Sequence, residues 1–110
     1  MAADGLKVLG QSAPAAAAVA DLYTVPAATK TTVSTLTVCN RSATATTFRV
    51  AVSPAGATLA NQHYIYFDQA IDGNSTFAST IGMTLSATDV IRVYAGTLNL
   101  SFSAFGVEVA

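Results

Sequence analysis

Along most of this chain, apolar and polar residues alternate one for one. Residues 46–52 do so without a break: Phe48, Val50 and Val52 fall on one face, Thr47, Arg49 and Ala51 on the other. Residues 29–39 repeat the pattern, with Leu36 and Val38 set against Thr35 and Thr37. Side chains of a strand point alternately to its two sides, so a period of two predicts half-buried β-strands. Residues 21–25, 63–68, 76–81, 90–95 and 98–102 read as further strands, with 105–109 as a continuation. Turn signals separate them: Asn40-Arg41-Ser42, Ser53-Pro54-Ala55-Gly56, Asp72-Gly73-Asn74, Ser86-Ala87-Thr88-Asp89 and Gly96.

About seven or eight short strands with turns roughly ten residues apart predict an all-β fold. The expected architecture is a single antiparallel β-sandwich, jelly-roll-like, over residues 21–110. The strand count alone fits an immunoglobulin-like order as well as a jelly roll. Residues 1–20 read differently. Leu6-Lys7-Val8-Leu9 suits a short strand, while the stretch from Ala13 to Ala20 carries Pro14 and no helical stripe. This segment is expected to be an extended N-terminal arm, lying on a neighbouring surface or fraying. Ala18-Val19-Ala20 has the form of a leader cleavage site, but Gly10, Gln11, Ser12 and Pro14 interrupt any apolar core before it.

Charge is scarce. The chain has 110 residues with five Lys or Arg and six Asp or Glu, 10% in all, where about 25% is ordinary. A domain of 11.2 kDa exposes about 5,700 Å², so there is roughly one charge per 500 Å². Ala, Thr, Ser and larger apolar groups must cover the rest, which favours burial of part of that surface against protein partners. The basic residues Lys7, Lys30, Arg41, Arg49 and Arg92 are scattered and the net charge is −1, which argues against nucleic acid as a partner. No apolar run approaches the ~20 residues of a membrane-spanning helix, so no membrane partner is expected.

Candidate chemistry is thin. His63 is the only histidine, set beside Ile65 and Phe67 in a strand pattern, so it reads as a packed or rim residue. Cys39 has no partner for a disulfide and no basic neighbour in sequence to activate it. Asp68 and Asp72 could pair around a turn as hydrolytic carboxylates do. Asp72-Gly73-Asn74 begins like a calcium loop, but Met83 stands where the bidentate Glu would be needed. No enzyme activity, metal or cofactor is expected. Tyr64 and Tyr66 share one face of their strand in this phase, and Tyr23 and Tyr94 could join them. Together they would make either an aromatic platform for sugar rings or an interface, where tyrosine is enriched. Leu6, Val8, Leu9, Tyr23, Tyr64 and Tyr66 are the candidate interface residues.

Three runs carry a resemblance: residues 21–27 (Asp-Leu-Tyr-Thr-Val-Pro-Ala), 37–41 (Thr-Val-Cys-Asn-Arg) and 47–56 (Thr-Phe-Arg-Val-Ala-Val-Ser-Pro-Ala-Gly). With residues 89–95 and the closing strand, they resemble small virion structural proteins of tailed bacteriophages, over residues 6–110. The shared pieces are turns and strands and transfer no functional residue. The resemblance implies a capsid decoration (cement) protein that bridges capsid subunits and stabilises the head. It equally admits a tail or baseplate component. Its partners would be the major capsid protein or tail and baseplate proteins, together with further copies of itself as a homo-oligomer. Its place would be the virion, after synthesis in the bacterial host cytoplasm. A carbohydrate-binding module for host-surface glycans is the alternative from another class, and it needs Tyr64 and Tyr66 exposed together.

Overall fold

Strand alternation is realised almost throughout. The structure, a computed structural model, describes residues 5–109. These form nine strands: β1 (Gly5–Ser12), β2 (Val19–Thr24), β3 (Lys30–Asn40), β4 (Thr46–Ser53), β5 (Tyr64–Ile71), β6 (Thr76–Ser79), β7 (Met83–Leu85), β8 (Val90–Ala95) and β9 (Leu100–Val109). Two short 3-10 turns, Pro54–Gly56 and Asn61–His63, lie between β4 and β5. No helix among the described residues is long and apolar enough to cross a membrane.

Two antiparallel sheets stack face to face. One runs β1-β9-β3-β6, with β7 pairing the same edge of β3 further along; the other runs β2-β8-β4-β5. First pairs with last, second with second-to-last, and the central strands with each other. That is the strand order of a jelly roll, a long hairpin rolled on itself. It decides between the two orders the strand count admits. Two readings change. The strand expected over 76–81 ends at Ser79, and a separate β7 follows Gly82, whose φ of 66° favours glycine. Residues 5–20 are no free arm: Gly5 to Ser12 pair with β9, and Val19 begins β2. The first four residues of that segment lie outside the described residues.

The core lies between the sheets. Phe48, Val50, Leu36 and Val38 are fully buried, the phase the alternation assigns, and Ile91, Val93, Leu100 and Phe102 are buried with them. Phe48 is the hub, its ring centroid 5.2 Å from Phe77, 6.1 Å from Phe102 and 6.2 Å from Tyr66. At one corner the four strands β1, β2, β3 and β9 are tied by polar groups. Glu108 accepts a hydrogen bond from Lys7 Nζ at 2.7 Å and another from the Tyr23 hydroxyl, which also meets Thr31 Oγ1 at 2.8 Å. Buried Asn40 closes the opposite end: its Nδ2 donates to the carbonyls of Thr44 (2.9 Å) and Asp72 (3.2 Å), and its Oδ1 accepts from the Ser42 amide.

A candidate docking face

The outer surfaces of the two sheets are chemically unlike. On the five-stranded sheet, the outward phase is marked by the residues opposite the core phase. Ser101, Ser103, Phe105 and Val107 of β9 lie there, beside Thr32, Thr35, Thr37 and Cys39 of β3. Leu6 and Val8 of β1 pair with Val107 and Phe105, and Thr76, Ala78 and Thr84 complete the far edge. Lys30, opposite Val109 at one corner, is the only charge among these residues. The face is a Thr and Ser surface with an apolar end, where Leu6 is 87% and Val8 50% exposed.

The four-stranded sheet gathers charge and aromatic rings instead. Arg49 of β4 lies between two rings, its guanidinium carbon 4.1 Å from the Phe67 centroid and 4.4 Å from that of Tyr94. Its Nε donates to Asp68 Oδ1 at 2.7 Å. That carboxylate, in the first place, raises the Arg49 pKa further above its usual range. Arg92 meets Asp21 at 3.4 Å and donates to the carbonyls of Ala57 (3.1 Å) and Gly56 (3.4 Å). This ties the segment after β4 to β8, and Ala51 and Ser53, at the end of β4, are buried. Every charge on this face is answered within the chain.

Two β-bulges in β5 explain where the tyrosines go. Val50 pairs with Tyr66 but Ala51 with Tyr64, so Ile65 is an extra residue and shifts the phase. Tyr66 therefore turns inward, hydrogen-bonding Ser79 Oγ at 2.7 Å against Phe48 and Phe77. Tyr64 turns outward and packs edge-on to Phe67 at 4.9 Å. The two tyrosines expected on one face lie on opposite faces, and the platform they were to form does not exist. The second bulge sets both Phe67 and Asp68 opposite Arg49, with Asp68 at φ 51°. Ile65 and Phe67 are exposed as a result.

The other candidates are placed as follows. Leu9 is the extra residue of a bulge in β1 and turns its side chain against the core. Tyr23 is buried, 8% exposed, so its ring belongs to the interior and not to an interface. His63 precedes β5 in a 3-10 turn, where its Nδ1 accepts the Ala60 amide at 3.0 Å. Cys39 lies on the outer face of the other sheet, so the two do not meet. Asp68 is engaged by Arg49, and the Asp72 carbonyl closes a turn with Ser75 Oγ at 2.7 Å. Among the described residues no three His, Cys, Asp or Glu side chains cluster as a metal site would require. Phe105 and Val107 belong to the outer face of the five-stranded sheet, although the sequence pattern did not single them out. The signal was available: they share the phase of Ser101 and Ser103. No family model, characterised protein or solved structure matches the chain.

Proposed function

We propose that the protein is a bacteriophage virion structural protein, a capsid decoration protein that lays the outer face of its five-stranded sheet on neighbouring subunits. The carrying observation is that among the described residues this face bears one charge, at a corner, from β1 to the β6/β7 edge. Desolvating charged groups is costly, so a face without them is the one a protein partner can cover cheaply over a large area. The resemblance to small virion proteins supplies the partner, and the jelly-roll order is one that capsid proteins use. Many weak copies on a symmetric lattice would hold by avidity.

The deciding experiment is the copy number of the protein in purified virions relative to the major capsid protein. A simple ratio to that protein is expected of a decoration protein. A far lower number would move it to the tail or baseplate, and absence from the particle would end the structural reading.

A further inference from the structure

We infer that the open half of β1 joins two copies of this chain, strand to strand across a two-fold axis, extending the five-stranded sheet from one protomer into the other. The inference rests on the fold alone and not on the virion reading. An edge strand leaves alternate backbone N–H and C=O groups unpaired, and proteins blunt such edges with short strands, bulges, charges or proline. Three of the four edges here are blunted. β6 and β7 are four and three residues long and separated by the break at Gly82. β5 carries two bulges and the outward charge of Asp68. β2 has a bulge at Leu22 and the outward Asp21, and Pro26 follows.

β1 is blunted only in its second half, where Leu9 bulges and Gly10 runs against β2, so close that a Cβ there would stand 2.1 Å from the Leu22 carbonyl oxygen. Before the bulge, Gly5 to Val8 pair with β9 on one side, and nothing among the described residues pairs with them on the other. The outward side chains of this stretch are Leu6 and Val8, the first the most exposed large apolar residue described.

The occupant follows from charge and symmetry. Two copies of one strand paired antiparallel are related by a two-fold axis, so each patch must suit itself. Leu6 and Val8, with Phe105 and Val107 beside them, carry no charge to oppose its own image. The one charge in the stretch, Lys7, projects to the other side of the sheet, where Glu108 binds it at 2.7 Å within its own protomer. A foreign strand would cover one Leu6 and one Val8; a second copy covers two of each in one contact.

Sedimentation of the full chain over a concentration series tests this. Wild type should pass from monomer to dimer, and Leu6→Lys with Val8→Lys should weaken dimerisation at least tenfold, with a melting temperature equal to that of wild type at a concentration where both are monomeric. In a Cys39→Ser background, at least one of Leu6→Cys, Lys7→Cys and Val8→Cys should form a disulfide-linked dimer, and Thr76→Cys on the opposite edge should not. A wild type that stays monomeric at every concentration overturns the proposal, as does a dimer that the double lysine variant leaves intact. A monomer whose attachment to particles is lost in the double variant would assign the edge to a foreign strand. It would overturn the self-pairing while sparing the virion reading.

Discussion

Glu108 is the residue whose surroundings most change its chemistry. The hydrogen bond from Lys7, and then that from Tyr23, favours its charged form and holds its pKa below the ordinary 4.5. A carboxylate with a lowered folded pKa stabilises the fold above its unfolded value, and that contribution fades as pH falls through the folded one. Stability should therefore drop below about pH 4.5, and Glu108→Gln should flatten that acid limb in urea midpoints taken between about pH 3 and 7. Tyr23 shows the opposite sign. Burial first, and then its bond to Glu108, pushes its pKa from 10.0 up to about 12. The neutral phenol is the folded form, so stability present below pH 10 is lost between 10 and about 12. Tyr23→Phe should remove that alkaline limb and, by leaving Thr31 and Glu108 short of a partner, cost about 1–3 kcal/mol in chemical denaturation. Phe48→Ala, at the hub of four rings, should cost more, about 3–5 kcal/mol by the same measurement.

At the scale of elements, bulges and close approaches do what alternation cannot. Gly10, still paired with β9, is where β1 comes closest to β2, and a methyl group there meets a backbone carbonyl rather than a yielding side chain. Gly10→Ala should loosen this corner. The expected readout is faster amide exchange in β1 and β9 than in β4 and β8, together with a lower melting temperature. The β5 bulges assemble Arg49, Phe67, Asp68 and Tyr64 from what would otherwise be opposite faces. The Arg49–Asp68 pair lies at the surface, where solvent screens it, so Asp68→Ala should leave the urea midpoint nearly unchanged. Alternation reads β4 correctly and misreads β5 for one reason. A strand keeps its phase only while its partner advances in step, and each extra residue flips everything beyond it.

The whole molecule has one charged, ring-bearing side and one side of hydroxyls and apolar groups. If the second side is the docking face, a single charge placed there should matter more than a lost cluster on the first. Thr37→Lys, at the centre of the Thr and Ser face, should abolish attachment to particles in co-sedimentation while leaving the melting temperature within a few degrees. Phe67→Ala, on the other face, should leave attachment intact. The reverse pattern would transfer docking to the Arg49 cluster.

The all-β class, most strand positions and the buried phase of β3, β4, β8 and β9 are written in local alternation, because burial on one face of a strand needs only a period of two. The scarcity of charge is likewise a property of composition. What the tertiary structure decided is whatever depends on strands far apart in sequence. The jelly-roll order arises from β1 meeting β9 and β2 meeting β8. Residues 5–12 became a sheet strand, not an arm, because β9 offered them an edge. Tyr23 went inside because Glu108 and Thr31, distant along the chain, converge on its hydroxyl. Tyr64 and Tyr66 parted because the register against β4 slips between them. A local pattern reports which side of its own strand a residue takes, but only the pairing partner fixes which strand is adjacent and where the phase is broken.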